Sequence, residues 1–469
     1  MTVIETDYLV IGAGAAGMAF TDALTADSPS DVVIVDRRDR PGGHWNDAYP
    51  FVRLHAPSTS YGVNSRGLGR DRIDTDGPNA GFYERATGAE ICDYYFRVLE
   101  EHLLPSGRVR FFGECNYVGH GSGGHQFVSD ATGKATTVRV RCKVVDATYL
   151  EVAIPATHTP SFQVDDGVRF IPPGEMLRMS GSASGYTVLG AGKTAMDACC
   201  WLLDNGVEPD SIRWIRPRDA WMFDRTYFQP RDLVATLMEG FSLGVEAAAN
   251  CEDVEDLFAR QEACGLLARL DPTVQPTMFK GAITSAAERE SLRRIERIIR
   301  RGRVKWISAE RIVLEEGSVP TDRDQIHVDC TADGLRPVPT RPIFEPARIT
   351  MQSMTTGLIP FNSALIGFVE ATREDAADKN RLCRPVVNPS RAVDWLTTMH
   401  AFFTSQNIWS SEPDVAAWVN RSRLNLTHGM EKHMTDPRLQ SAIVRMASNM
   451  QPALAKLEQL IGEPTASGA

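Results

Sequence analysis

Two stretches of the chain carry the same hydrophobic pattern. In DYLVIGAGAAGMAFTDAL a short apolar run, Tyr8 to Ile11, is broken by Gly12, Gly14 and Gly17, and a helical spacing of apolar positions follows. DVVIVDRR then supplies a second apolar run that ends at Asp36. The pattern reads as strand, glycine turn, helix, strand. SGYTVLGAGKTAMDACCWLLDNGV repeats it, with a strand over Tyr186 to Leu189, a turn at Gly190, Gly192 and Ala195, and a helix toward Asn205 with Gly206 as its C-cap. The next strand, SIRWIRPRDAW, ends in Arg216 and Arg218. Further along, the spacing predicts an all-helical insertion over 233–300, including a helix that starts near Ser285 and leads to a strand near Trp306. Two strands around a turn are expected in RIVLEEGSVPTDRDQIHVDCTA, a helix over about Ala364 to Ala371 capped by Asn362 or Ser363, and mostly helix over 390–462.

The glycine turns bring in the chemistry. In a GxGxxG turn the first glycine lets the chain reverse tightly, the second leaves room for a pyrophosphate, and the third lets the helix lie against the strand. The helix N-terminus then offers free N–H groups to the phosphates. Asp36 stands where an acid accepts hydrogen bonds from ribose hydroxyls. The second turn, Gly190, Gly192, Lys193, Thr194 and Ala195, is no P-loop, because the position five before Gly192 is Thr187. Arg216 and Arg218 replace the acid there, which suits a 2′-phosphate and so NADPH over NADH; the alternative is a solvated strand end. Two dinucleotide folds imply two nucleotides, for which a flavin and a nicotinamide are the usual chemical reason.

Composition narrows the classes. The chain has 469 residues, enough for two or three domains, and a net charge of -10, which argues against a nucleic-acid partner. No apolar run approaches the ~20 residues of a membrane span, and the start MTVIETDYLVIGAG has no basic, cleavable leader, so a cytoplasmic protein is expected. The nine cysteines contain no CxxC, a reduced intracellular pattern. No motif suggests a metal or a hydrolase.

With these features the sequence resembles the class B flavoprotein monooxygenases, as a distant relative of the flavin-containing monooxygenases. GAGAAG, Asp36 and GGHW at Gly42 to Trp45 match that family's FAD half, VRLHAP at Val52 to Pro57 is similar to its Leu-Arg-Thr-Asn-Leu-Pro stretch, and WMFDRTYFQPRD resembles its Trp-x-x-x-Arg…Pro-x-Asp segment. The family's Phe-x-Gly-x-x-x-His-x-x-x-Tyr/Phe fingerprint is absent. The resemblance implies an α/β protein with two Rossmann-like dinucleotide-binding domains, the NADPH domain inserted into a split FAD domain, plus a mostly helical insertion and C-terminal helices. The expected boundaries are 1–160 for the first FAD part, 161–325 for the NADPH domain, and 326–469 for the second FAD part and the helical region.

It further implies FAD and NADPH as cofactors and a flavin C4a-(hydro)peroxide that oxygenates a small substrate with O2, N-oxygenation being favoured. A flavoprotein reductase or oxidase without oxygen insertion is the alternative, and a non-catalytic flavin-binding protein a third. FAD is expected on Gly12, Gly14, Gly17, Asp36, Arg37, Gly43, His44 and Trp45. Asp333, in IHVDCTADGL, falls in the turn by which the family's chain returns to the FAD domain, and Asn362 and Ser363 near the flavin pyrimidine. His55, Arg53 and Asn64 are the candidate catalytic residues, His55 in place of the family Asn near the flavin–oxygen adduct, where an imidazole can both donate and accept a hydrogen bond. Residues 390–462 are left either to cover the site or to form a homodimer face. The tail GEPTASGA reads as disordered.

Overall fold

The computed structural model describes residues 2–121, 123–150, 152–179, 183–355 and 357–462; the tail from 463 onward lies outside them. Strand β1 (Thr2–Ile11), helix α1 (Ala15–Asp27) and β2 (Val32–Val35) form the first unit, with β1 and β2 parallel and Leu9 opposite Val33. Every residue of β2 is buried, because a parallel strand is covered on both faces. After α2 (Gly88–Val98), which Thr87 and Glu90 start with a capping box, come β3 (Val109–Phe112), β4 (Cys115–Gly121), β5 (Gly124–Ser129) and β6 (Ala135–Asp146). Their order is β3-β2-β1-β6-β5-β4, parallel from β3 to β6 and antiparallel beyond.

Two short strands, β7 (Gln163–Val164) and β8 (Phe170–Ile171), lead to the second unit: β9 (Gly185–Leu189), α3 (Lys193–Asp204), β10 (Ile212–Ile215) and β11 (Ala220–Asp224). There follow α4 (Val234–Asn250), α5 (Val254–Ala263), β12 (Leu267–Ala268), β13 (Met278–Thr284), α6 (Ala286–Arg293) and β14 (Ile298–Ile299). Next are β15 (Val304–Ile307), β16 (Arg311–Leu314), β17 (Gly317–Pro320) and β18 (Gln325–Asp329). The second sheet, β14-β10-β9-β18-β8, is parallel throughout. Smaller sheets join β12-β11-β13 and β17-β16-β15-β7. Strand β19 (Arg348–Thr350) returns to the first sheet beside β6. Helices α7 (Ile359–Thr372), α8 (Ala376–Leu382), α9 (Asp394–Ser411), α10 (Pro413–Arg421) and α11 (Pro437–Gly462) complete the chain. No described helix is long and apolar enough to cross a membrane.

Four elements differ from the sequence expectations. The stretch from Arg311 holds three strands, not two, because β16 and β17 form a hairpin of their own before β18 joins the second sheet. The 233–300 region is not all helix: β13 pairs in parallel with β11, and Pro272, in a turn closed by Val274 N–H on Asp271 O, and Pro276 interrupt any helix before it. The helix from Ser285 ends at Arg293 rather than running toward Trp306, because Ile298 and Ile299 take a sheet-edge place beside Trp214 and Ile215. The helix expected from Ala364 starts at Ile359, with Pro360 in its first turn. Asn362 and Ser363 are therefore buried inside the helix, not capping it. The segment Gln325–Asp329 completes the second sheet, and the crossing back to the first follows it.

Candidate functional site

At the C-terminal edge of the first sheet, β1 ends at Ile11, Gly12 (φ +99) follows, and α1 begins after Gly14. A Cβ on Gly17 would overlap the carbonyl oxygen of Gly12, so only glycine lets the helix close on the turn. Asp36 is buried, and its carboxylate accepts from the backbone N–H of Ala13 (2.6 Å) and of Arg38 (2.8 Å), which ties the second strand to the turn. Arg37, beside it, is exposed. Gly42 N–H bonds Ala13 O at 2.9 Å, and Gly43 (φ +58) comes so near that a Cβ there would sit 2.9 Å from Gly14 Cα. The two glycine segments thus meet backbone to backbone.

Behind this contact Trp45 donates from Nε1 to the Tyr61 hydroxyl at 2.7 Å, and the His44 ring lies 4.9 Å from Trp45. Burial, with Arg38 nearby, lowers the His44 pKa to about 4. Arg423, far off in sequence, donates to the carbonyls of Thr59, Tyr61 and Val63, and Ser422 donates to Asn64 Oδ1 at 2.8 Å. Asn64 is thus tied to the loop after α10. Sequence reasoning missed Arg423, which has no motif around it.

The second turn repeats the first. Gly190 (φ +117) ends β9, Ala195 is fully buried where the first turn has Gly17, and Gly192 faces open space. Neither α1 nor α3 has a side-chain N-cap, and neither has an acid in its first turn. The free N–H groups of both helix starts fit a pyrophosphate. Lys193 forms an ion pair with Asp197 one turn on, next to Thr194 at the helix start. Arg216 is buried, paired with Asp219 at 3.0 Å and stacked over Trp214. Arg218 forms no ion pair within the described residues and lies within electrostatic reach of Arg303 and Asp333. Asp333 pairs with Lys280.

The stretch after Trp45 bridges the two turns. The Tyr49 hydroxyl donates to Asp197 at 2.8 Å, and Phe51 stacks on Trp201 of α3 with centroids 5.4 Å apart. Burial, then Asp197, pushes the Tyr49 pKa well up. Arg53 is exposed and donates to Arg85 O at 3.0 Å. His55 is half-buried at its own surface yet deep among neighbours; burial, then Lys193, lowers its pKa to about 3. Its backbone oxygen accepts from Arg225 at 3.4 Å.

Beside it stands a buried triad, of which the sequence had marked only Arg225, in the segment WMFDRTYFQPRD. Glu288 pairs with Arg85 (3.2 Å) and with Arg225 (2.7 Å). Burial alone would raise the Glu288 carboxyl, but Lys193, Arg225 and Arg85 outweigh it and hold it at about 2. The local signal for Glu288 is the Ser285-x-x-Glu288 capping box, which the structure forms; Arg225 is the arginine of the Trp221-x-x-x-Arg225 segment, and nothing marks Arg85. Asn362, by contrast, is fully buried and bonded to Thr355 at 2.9 and 3.1 Å, with Ser363 buried next to it. No cluster of three potential metal ligands occurs among the described residues.

A family model described as an NAD(P)-binding Rossmann-like domain matches residues 10–56, from the first turn through His55. Uncharacterized proteins of Mycobacterium tuberculosis and Mycobacterium bovis are 43% identical over 445 residues, which span 94% of this chain and 82% of each relative. Among solved structures the chain is similar to cyclohexanone monooxygenase from Rhodococcus sp. Phi1 bound to NADP+, with a TM-score of 0.48 and 15% identity over 83% of this chain and 86% of that one. It is also similar to the bacillithiol disulfide reductase of Staphylococcus aureus, with a TM-score of 0.46 and 10% identity over 79% of this chain and 98% of that one.

Proposed function

The chain belongs to the family of these mycobacterial proteins, and from that premise we propose that it is an NADPH- and FAD-dependent monooxygenase acting with O2 on a small substrate, N-oxygenation being the reaction preferred. The observation that carries this reading is the stretch 40–57. Gly43 lies on Gly14 of the first turn, and Tyr49 bonds Asp197 on the helix that leaves the second. One continuous segment therefore joins two pyrophosphate cradles, as hydride transfer between two bound coenzymes requires. When bound, the flavin supplies the activation of oxygen, after reduction by the nicotinamide.

In this reading the turn of Gly12, Gly14 and Gly17, with Gly43 packed on Gly14 and the helix closed on Gly12 through Gly17, holds the FAD pyrophosphate, and Asp36 and Arg37 lie on the ribose side. His44 and Trp45 wall the ring side. Gly190, Gly192, Lys193, Thr194 and Ala195 hold the second pyrophosphate, and Arg218, with Arg216 behind it, meets the 2′-phosphate. Lys193 has to leave Asp197 to reach a phosphate, and Tyr49 then remains as the partner of that carboxylate. His55 stays neutral at physiological pH because its pKa is about 3, so its ring can hold a proton without carrying charge. A thiol-based reductase is disfavoured, since burial pushes Cys200 up to about 12 and Cys199 and Cys330 well above the usual thiol range, away from the thiolate such chemistry needs.

The test is a flavin spectrum of the purified protein followed by NADPH turnover under labelled oxygen, screening amines, thioethers and ketones. Flavin bands and one labelled atom per NADPH in an amine product are expected. Flavin bands with no label in any product would assign a reductase or oxidase, and a colourless protein would end the reading. His55→Ala is expected to keep NADPH oxidation but divert it to hydrogen peroxide, read as a loss of coupling.

A further inference from the structure

Between α3, α6 and residues 50–54 lies a cavity of about 270 Å³. A turn over Tyr49–Val52, closed by Val52 N–H on Tyr49 O, leads into it. Val52 and Leu54 go into the core, while Phe51 and Arg53 line the cavity opposite α3. Phe51 and Trp201 stack at an interplanar angle of 25° and together form the apolar part of the lining. Most of the charge in the lining is already balanced. Asp197 is held by Lys193 and Tyr49, and Glu288 by Arg85 and Arg225. Arg53 has no ion-pair partner within the described residues. One of its N–H groups is anchored on Arg85 O, and Glu90, which feels its charge, is already bonded to Thr87. Asp204, two turns along α3 from Asp197, is the other lining charge without an ion pair; burial raises its pKa, Arg294 lowers it and Glu288 raises it.

We infer that this cavity binds a small aromatic monocarboxylate, its carboxylate on Arg53 and its ring against Phe51 and Trp201. A guanidinium held at one N–H still presents the planar fork that grips a carboxylate, and an aromatic ring gains most by lying against another. The volume is below the ~300–1,000 Å³ of drug-sized pockets, which limits the occupant to about one ring. Asp204 opposes a second negative charge, so a dicarboxylate is excluded. If the occupant is the substrate, that role rests on the oxygenation reading, whereas its binding needs neither nucleotide nor oxygen.

The experiment titrates the purified full-length protein with benzoate, benzamide and terephthalate by calorimetry, without NADPH. Saturable benzoate binding at least 10-fold tighter than that of either analogue is expected. Arg53→Gln is expected to weaken benzoate at least 10-fold and leave benzamide unchanged, with Arg53→Lys in between. A second readout is quenching of tryptophan fluorescence by benzoate, which Trp201→Phe removes while a melting curve confirms that each variant is folded. No saturable binding, equal affinity for benzoate and benzamide, or an Arg53→Gln variant that binds benzoate as the parent does would each overturn the inference. A colourless protein that still binds benzoate through Arg53 would sink the oxygenation reading alone.

Discussion

Arg216 and Arg218 stand two residues apart at the end of one strand and have opposite surroundings. Arg216 is buried on Asp219 and Trp214, while Arg218 has no ion pair among the described residues and is the one proposed to meet the 2′-phosphate. Arg218→Ala is therefore expected to raise KM for NADPH about 10-fold, the cost of one charge-assisted contact of ~1.4 kcal/mol. KM for NADH should hardly move, and steady-state kinetics with both cofactors check it. His327, only 1% exposed on β18, gives a pH prediction. Burial lowers its pKa to about 4, so the unfolded chain binds more protons than the folded one between pH 6.5 and 4. Stability therefore falls as pH falls through that window, by at most ~1.4 kcal/mol per unit for this one group. Urea midpoints from pH 7 to 4.5 should decline less steeply for His327→Gln than for the parent.

At the scale of elements, the glycine turns were legible from the sequence because their requirements are local. Gly17 must pass under the Gly12 carbonyl, and the residues that impose this lie five apart. Gly17→Ala is accordingly expected to cost about 3 kcal/mol or more, as any forced overlap with rigid backbone does. The loss should appear together as a lower melting temperature and reduced flavin content. The elements that sequence reading placed wrongly had non-local causes. Ile298 and Ile299 satisfy a helix period as well as a strand, and only the open edge beside Trp214 settles it. Pro360 moved the start of α7 forward, which put Asn362 in the interior rather than at a cap.

Over the whole molecule, Glu288 joins three distant parts. Its partners Arg85 and Arg225 lie 203 and 63 residues away along the chain, in the segment before α2 and after β11. Glu288→Gln leaves two buried guanidinium groups without a counter-charge and is expected to cost about 3 kcal/mol, the usual result of removing one member of a buried ion pair. The drop in urea midpoint would be larger than for Ser285→Ala, which removes the cap and the hydroxyl's bond to Pro78 O at ~1 kcal/mol each.

Those long separations also divide what the sequence determined from what the tertiary structure decided. The sequence by itself determined two strand–turn–helix units with uncapped helix starts, because steric fit and hydrogen-bond supply in such a turn depend on residues within a few positions of one another. It also singled out GGHW at Gly42 to Trp45 and VRLHAP at Val52 to Pro57. Only the tertiary structure decided that the segment holding both spans both units, that Arg53 faces α3, that Arg216 is already paired and that Arg423 holds the Thr59–Val63 loop. Each of these depends on which charges and surfaces meet after packing, and the partner of a buried charge is chosen by proximity in space, which no local pattern encodes.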